Sequence, residues 1–373
     1  MDGRPAGALC CGRCGGPAAA ARAARRQRFR AAVSARPGDG LSATPGVVPV
    51  GRAGQPRRAG HPGETSPPAG PAYQDGAGHP GGWARNATRF RTVTGTLLDT
   101  SPQILVVATD QGERRLALIP ATSVWRGGPA EATGLRPGER VLIRLVPGRR
   151  DAADKVWASI GRAAGTISAS GDGQFVVDEG TTRRRQAVVI APAAANRIRV
   201  RFPQLEPGSV IDMIGLRRGD LLEALIPSTS QPACLASKAT RGPAVARTAA
   251  GTFSGSVTWH EPAGPGEEPR GAAYPAIDPA AGCAEATPSA PCPAELPYLA
   301  VGSMLSVHNE CTGATRVLPV TCCAAAARLF HDRCLTCGTS PRGRVADLTL
   351  ASFVELGGDP ERACFNATVS VWP

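Results

Sequence analysis

The sequence contains no run of about 18 apolar residues, which is the length that a membrane-spanning helix needs. The first 30 residues also lack an apolar stretch of about 7–15 residues, which forms the core of a secretory signal peptide. We therefore predict a protein without a membrane span. Its N-terminus gives no clear export signal.

Charged and aromatic residues are both scarce, at 19% and 4% of the 373 residues. Glycine and proline are abundant instead, with 45 and 35 copies. This composition favours turns and short strands over long helices. We predict a mainly β protein, and the length suggests two or three domains.

Positive charge is also missing from most of the chain. The net charge is +12, but residues 1–90 hold 13 arginines and 4 acidic residues, so that the other 283 residues carry only +3. Because nucleic-acid binding needs a basic face on the folded part, we predict that nucleic acid is not a partner. Residues 1–88 are rich in Ala, Gly, Pro and Arg without apolar periodicity, which predicts a disordered tail.

The twelve cysteines are unevenly distributed, and eight of them lie in the last 91 residues. Such density is typical of a disulfide framework formed in an oxidising, extracellular compartment. We therefore predict a secreted or cell-wall protein, and expect unconventional export or a true start other than Met1. The predicted disulfide cysteines are Cys283, Cys292, Cys311, Cys322, Cys323, Cys334, Cys337 and Cys364.

Cys334 and Cys337 form a Cys-x-x-Cys motif that has three interpretations. A thioredoxin-type redox site requires a βαβ setting, and no parallel crossover is evident in this region. A zinc site would use Cys322 and Cys323 as the other ligands, but adjacent cysteines fit tetrahedral ligation poorly. We adopt the third interpretation, disulfide bonds around a loop, and predict neither a metal nor a cofactor.

From Val93 onward, short β-rich segments alternate with Gly, Pro and Asp turns. Gly95-Thr96-Leu97 recurs 70 residues later as Gly165-Thr166-Ile167, and Leu135-Arg136-Pro137-Gly138 recurs at the same offset as Leu205-Glu206-Pro207-Gly208. Two matches at one offset indicate a duplication.

Each repeat holds about five strands in roughly 70 residues, which suits a small closed barrel without exposed edges. We predict OB-like barrels at residues 89–161 and 162–227, then a linker at 228–250. Arg197, Arg199 and Arg201 alternate with apolar residues, which describes either a solvated strand face or a face for an anionic polymer.

Several segments of residues 251–373 occur in an order that one known family shares. "GSVTWHEP" at 255–262 fits its opening strand at Gly255, Thr258 and Trp259, with His260 in place of the usual Tyr. "LAVGSMLSVHN" at 299–309, "HDRC" at 331–334 and "VADLTLASFVELGG" at 345–358 follow, and "CFNATVSV" at 364–371 would be the closing strand. In these segments the chain resembles the double-psi β-barrel domain of rare-lipoprotein-A-like proteins, expansins and barwins.

The resemblance implies a groove that holds polysaccharide. In the lytic transglycosylases of this family, an aspartate at the position of Asp332 protonates a glycosidic oxygen. In expansins, that aspartate and a second one that matches Asp347 line a cleft, and the wall loosens without net hydrolysis. We therefore expect Asp332 and Asp347 as the catalytic candidates, and Thr258, Trp259 and Tyr274 as residues that contact sugar.

The residues that accompany the acid in this family are missing here. Leu296 occupies the position of the transglycosylase His, Val345-Ala346-Asp347 replaces the expansin His-Phe-Asp, and Leu335 replaces a proline. A glycosidase normally uses two cooperating carboxyl groups. We therefore predict an expansin-like monomer that binds or loosens cell-wall polysaccharide without net hydrolysis, with a lytic transglycosylase and a secreted protein-interaction module as the alternatives.

Each candidate residue also has a structural interpretation, which the sequence leaves open. Asp347 precedes a short helical pattern and would stabilise that helix as its N-cap. Asp332 would form a turn or an ion pair with Arg333, and Trp259 would belong to the core. Whether the protein is an enzyme is therefore open at this point.

Overall fold

The structure is a computed structural model that describes residues 90–371, except for 172, 181–184, 239–245, 250, 262–269, 278–295, 335–336 and 339–341. All described residues belong to one compact unit. The described chain is mainly β, as predicted, and forms three small closed barrels. The predicted disorder of residues 1–88 concerns a segment outside the described residues.

The first barrel closes five strands in the order β1-β2-β3-β6-β5, and a short β4 extends β3. β3 and β6 are parallel, whereas the other neighbours in the ring are antiparallel. Its strands are β1 (Thr92–Thr100), β2 (Ile104–Thr109), β3 (Gly112–Trp125), β4 (Pro129–Ala130), β5 (Arg140–Leu145) and β6 (Ala152–Ala158).

The second barrel repeats this order as β7-β8-β9-β11-β10, and its single parallel pair, β9 with β11, again joins the third and last strands. A short helix, α1, lies between β9 and β10. The elements are β7 (Ile160–Gly171), β8 (Gln174–Asp178), β9 (Arg185–Ile190), α1 (Ala195–Arg201), β10 (Val210–Arg218) and β11 (Leu221–Pro227).

The sequence repeat corresponds to matching hydrogen bonds in the two barrels. Gly138 N donates to Leu97 O at 2.8 Å, and 70 residues later Gly208 N donates to Ile167 O at 2.8 Å. Both glycines have a positive φ, of 89° and 92°, which disfavours any residue with a side chain. The repeated residues therefore occupy the same turn and the same strand in each barrel.

The third barrel closes six strands in the order β13-β19-β15-β16-β14-β18, because β18 also pairs with β13. β13 with β18 and β14 with β16 are parallel pairs. β12 and β17 add to this ring at β13 and β18. The elements are β12 (Ala246–Ala249), β13 (Thr252–His260), β14 (Ala272–Tyr274), β15 (Met304–Asn309), β16 (Thr315–Cys323), β17 (His331–Asp332), β18 (Arg342–Thr349), α2 (Leu350–Glu355) and β19 (Cys364–Val371).

The three barrels pack against one another through a shared apolar core. The core cluster of the third barrel also includes Trp125 and Trp157 from the first barrel and Ile160 and Ile214 from the second. Trp157 is fully buried, and its indole Nε1 donates to Glu361 Oε1 at 3.1 Å. Burial of such large apolar side chains between barrels holds them in fixed contact.

Two local expectations differ from the structure. Arg197, Arg199 and Arg201 lie on the helix α1 and not on a strand; Ile198 is buried, whereas Val200 is 87% exposed, so only one side of this segment packs on the barrel. The first part of the predicted linker is also packed, because Ser228, Thr229 and Gln231 are buried polar residues.

Candidate functional site

Asp332 and Asp347 both lie in the wall of the third barrel. β17 pairs with β18 in a register that sets Asp332 opposite Arg342. Asp347 lies within β18, opposite Thr258 of β13 and Ala273 of β14. Asp332 is 0% exposed and Asp347 is 3% exposed. The carboxylates are therefore inside the protein, so neither side chain lines an open groove.

A buried group of charged residues, here called the ionic cluster, joins the second barrel to the third. Its members are at most 4% exposed in their side chains and are linked by ion pairs. The cluster consists of Arg162, Asp212, Asp332, Arg344 and Asp347.

Arg344 is the centre of the ionic cluster. Its Nε donates to Asp332 Oδ2 at 2.9 Å, and its Nη2 donates to Asp212 Oδ2 at 2.8 Å. The guanidinium also lies over the ring of Phe330, 4.1 Å from the ring centroid. Arg344 therefore connects its own barrel to the second barrel through a carboxylate on each side.

Arg162 completes the contact from the second barrel. Its Nε donates to Asp212 Oδ1 at 2.7 Å, and its Nη1 donates to the carbonyl oxygen of Trp259 in the third barrel. The same Nη1 lies 3.9 Å from Asp347 Oδ1. Asp212 thus accepts from guanidinium groups of both barrels.

Hydroxyl groups occupy further carboxylate oxygens of the ionic cluster. Thr229 Oγ1 donates to Asp332 Oδ1 at 3.0 Å, Ser228 Oγ donates to Asp212, and Thr258 Oγ1 donates to Asp347. Buried charges are tolerated only when they are paired and hydrogen-bonded, because desolvation is otherwise too costly. The three carboxylates meet this requirement, whereas Arg344 Nη1 is buried without a hydrogen-bond partner among the described residues. The cluster is a structural contact between barrels.

The pKa shifts agree with this arrangement. Burial alone would raise the pKa of Asp212, but the charges of Arg162 and Arg344 outweigh it and hold this pKa well below its ordinary value. Burial opposes the charged form of Arg344, yet Asp332 and Asp212 raise its pKa above the ordinary value. Both groups are therefore charged at neutral pH.

The structure corrects the expectation that Asp332 is exposed to a polymer. A general acid must come within hydrogen-bond distance of the oxygen that it protonates. Here the carboxylate oxygens of Asp332 already accept hydrogen bonds from Arg344, Thr229 and Ser256. The ion pair expected with Arg333 is formed instead with Arg344. The reason is that β17 pairs with β18 and turns the carboxylate inward.

The expectation that Asp347 caps a helix is also wrong. α2 begins at Leu350, its N-cap residue is Thr349, and Thr349 Oγ1 donates to Ser352 Oγ at 2.9 Å. Asp347 lies two residues earlier, in β18, where it accepts from Thr258. The strand continues through Asp347 because it pairs with β13 and β14 on its two sides.

The predicted sugar-binding residues are buried as well. Trp259 is 1% exposed and donates from its indole Nε1 to Pro360 O at 3.1 Å. Tyr274 is fully buried, and its hydroxyl donates to Pro297 O at 3.1 Å. Thr258 is fully buried against Asp347. The core interpretation of Trp259 is therefore correct, and none of these side chains faces a groove.

The cysteines form fewer disulfides among the described residues than expected. Cys311 is bonded to Cys337, and Cys323 is also disulfide-bonded. Cys334 and Cys364 are free thiols, which corrects the prediction for these two residues. Cys283 and Cys292 lie outside the described residues.

Cys334 lies close to the Cys311–Cys337 disulfide. Its Sγ is 3.6 Å from Cys311 Sγ and 3.5 Å from Cys337 Sγ. Burial and the nearby charge of Asp332 raise the pKa of the neighbouring Cys364 thiol. Buried Cys322 accepts a hydrogen bond from Thr321 at 3.9 Å.

Sequence reasoning did not find Arg162, Asp212 or Arg344. Asp212 and Arg344 are separated by 132 residues, so no local motif links them. A signal was nevertheless present, because Asp212 interrupts the apolar segment "VIDMIGL" and Arg162 lies in "IGRAAGTI". A charged residue inside an apolar strand predicts a buried partner of opposite charge.

Within the described residues, no helix has both the length and the apolar composition that a membrane crossing requires. No known family model matches the chain, and a search of curated proteins gives no match.

Proposed function

We propose that this chain is an exported, expansin-like protein that binds or loosens cell-wall polysaccharide without cleaving it. The ionic cluster is the observation that supports a function without cleavage. In this cluster Asp332 and Asp347 are buried, and they lie next to Arg344 and Arg162 respectively. A carboxylate held in this way is inaccessible, whereas a general acid must reach the glycosidic oxygen that it protonates.

The architecture supports a binding role. The six-stranded ring of the third barrel, with its parallel pairs β13–β18 and β14–β16, is compatible with a double-psi barrel. The order β1-β2-β3-β6-β5 of the first barrel, repeated in the second, is compatible with an OB-like barrel. OB folds bind oligosaccharides and oligonucleotides on their surface. Polysaccharide would then contact barrel surfaces, and the core residues Trp259 and Tyr274 would shape the barrel from inside.

The cysteines support export. The Cys311–Cys337 bond is compatible with folding in an oxidising compartment. Disulfides are rare in proteins of the reducing cytosol.

The test is a binding assay on purified peptidoglycan and on cellulose, followed by mass spectrometry of the supernatant. We expect retention of the protein and no released sugar, both for the wild type and for a refolded Asp332→Asn variant. Failure of the wild type to bind either polymer would overturn the proposal.

The other outcomes separate the alternatives. Release of anhydro-sugars that stops in Asp332→Asn would identify a lytic transglycosylase, and would require the second and third barrels to separate during the reaction. Retention of a protein partner together with no retention on either polymer would identify the protein-interaction module.

A further inference from the structure

A cleft of about 600 Å³ lies between the first and third barrels. The first barrel contributes the start of β1, the β2–β3 turn and the segment that follows β5. The third barrel contributes Arg270, which precedes β14, together with residues of β16 and α2. This cleft, here called the arginine cleft, is lined by five arginines: Arg91, Arg114, Arg150, Arg270 and Arg316.

Negative charge does not balance these arginines. The described lining includes two carboxylates, Asp110 and Glu355. Glu355 is already occupied, because Arg270 Nη2 donates to it at 2.8 Å, Arg316 Nη2 lies 3.6 Å away, and Thr92 Oγ1 donates to it at 3.0 Å. Glu355 therefore neutralises the third-barrel side of the cleft only.

On the first-barrel side, Asp110 accepts a hydrogen bond from Gln111 Nε2 at 2.6 Å. In the described part of the chain, Arg91, Arg114 and Arg150 form no ion pair with a carboxylate. Arg114 Nη2 instead donates to the backbone oxygen of Arg150 at 2.5 Å. Positive groups that converge in a cleft repel one another, and an anion bound between them removes this cost.

A second cavity shows that convergent arginines are balanced elsewhere in the protein. The cavity of about 350 Å³ where the barrels meet is lined by four arginines, Arg126, Arg140, Arg217 and Arg218, and by two carboxylates, Glu139 and Glu261. Three of these four arginines form ion pairs: Arg126 Nε lies 2.7 Å from Glu139, Arg217 Nη2 lies 2.5 Å from Glu261, and Arg218 Nε lies 2.5 Å from Glu223. Several arginines without a carboxylate partner among the described residues are therefore a feature of the arginine cleft and not of this second cavity.

We propose that the arginine cleft binds a small ligand that carries two or more phosphate groups. The planar guanidinium donates two parallel hydrogen bonds and matches phosphate oxygens well. Arginines without a described carboxylate partner lie in more than one segment of the first barrel, so a single anionic group would leave some of them without a partner. The volume of the cleft lies within the range of small-molecule sites.

The lining also argues against other ligands. None of the described lining residues is aromatic, whereas neutral sugars and unpaired bases are usually held by stacking on aromatic rings. The cleft would therefore recognise phosphate charge and not a sugar face or a base. This site is separate from the proposed polysaccharide function, and either can fail without the other.

The test is calorimetric titration of the full chain with inorganic pyrophosphate and tripolyphosphate, with sulfate as the comparison anion. The test variant is Arg91→Gln/Arg150→Gln, because both side chains are exposed and neither guanidinium donates to a described residue. The control is Arg136→Gln/Arg199→Gln, which removes two exposed arginines outside the cleft. Circular dichroism establishes that both variants are folded.

We expect wild-type protein to bind pyrophosphate at least 10-fold more tightly than sulfate. The test variant should lose at least 10-fold in affinity for pyrophosphate, and the control variant should change by less than about 2-fold. Equal losses in the two variants would show a general charge effect and overturn the proposal. Absence of pyrophosphate and tripolyphosphate binding, or binding of a single-stranded oligonucleotide that pyrophosphate does not displace, would overturn it as well.

Discussion

At the scale of single residues, the ionic cluster makes a prediction about Asp332. Asp332→Ala leaves Arg344 with one buried carboxylate fewer, and breaking a buried ion pair typically costs about 3–5 kcal/mol. We expect a loss of that size in the free energy of unfolding, measured by urea denaturation at pH 7.

The matched control is Asp151→Ala, which breaks the exposed pair with Arg149 and should leave the urea midpoint nearly unchanged. If the two variants are equally stable, Asp332 is accessible to solvent and its structural role is excluded.

Asp212 predicts how stability depends on pH. Its pKa is lowered in the folded state relative to about 3.9 in an unfolded chain, so its contribution to stability is present above that value and is lost as the pH falls below it. We expect the urea midpoint of the wild type to fall steeply between about pH 4 and pH 2.

In Asp212→Asn this acid-dependent loss should be smaller, although the variant should be less stable at pH 7 because Arg162 and Arg344 lose a shared partner. Parallel pH curves for the two proteins would contradict the assignment.

Cys334 predicts an alternative disulfide. In Cys337→Ser, the Cys311 thiol keeps Cys334 Sγ as a neighbour at 3.6 Å. We expect that oxidised glutathione in the refolding buffer accepts two electrons and that Cys311 and Cys334 become bonded, as measured by peptide mapping. The control Cys234→Ser should retain Cys311–Cys337. Alkylation of Cys311 in refolded Cys337→Ser would contradict this expectation.

At the scale of elements, the repeated glycines mark close contacts between backbones. A Cβ atom on Gly165 would lie 2.1 Å from Asp178 O, and one on Gly95 would lie 2.2 Å from Ala108 O. We expect Gly165→Ala to destabilise the protein by about 1–3 kcal/mol, because a rigid backbone must shift. Gly128→Ala, where no atom lies within 4 Å, is the control for thermal melting. Equal melting temperatures would contradict the repeat geometry.

The strands were largely predictable from the sequence, and the helix α1 was not. The β-rich runs and the 70-residue repeat indicate barrels because local alternation and turn residues report strand pairing directly. The segment 197–201 alternates Arg with Ile and Val, which also describes a strand. Pro192 begins a 3-10 turn just before α1, and arginine has a high helix propensity. These local preferences, together with the burial of Ile198, favour a helix over a strand at 197–201.

The candidate site was only partly predictable, for a physical reason. The resemblance pointed to Asp332 and Asp347, and these do lie in the same cluster. Their burial depends on Arg162 and Asp212, which belong to another barrel. Contacts between residues so distant in sequence leave no periodic pattern, and only the charge inside an apolar strand gives a hint of them.

At the scale of the whole molecule, the shared core predicts cooperative unfolding. Trp125 and Trp157 of the first barrel belong to the core cluster of the third, so either barrel would expose large apolar side chains if the other unfolded. We expect one transition in urea, with coincident midpoints from tryptophan fluorescence and far-ultraviolet circular dichroism. Two separated transitions would show that the barrels unfold independently.

Trp157→Ala should lower the midpoint of both signals together, because the side chain is fully buried between barrels and such truncations cost about 3–5 kcal/mol. A shift in one signal alone would contradict a shared core.

Arg344 has a practical consequence for anyone who clones the last barrel as a stand-alone module. A truncation that starts at Gly251 removes Asp212 and Thr229. Asp212 accepts a hydrogen bond from Arg344, and Thr229 donates one to Asp332. Such a fragment would expose the remaining charged residues of the cluster and an apolar surface that the other barrels cover in the intact protein. Weak or absent activity of the fragment would therefore reflect misfolding and would not describe the intact protein.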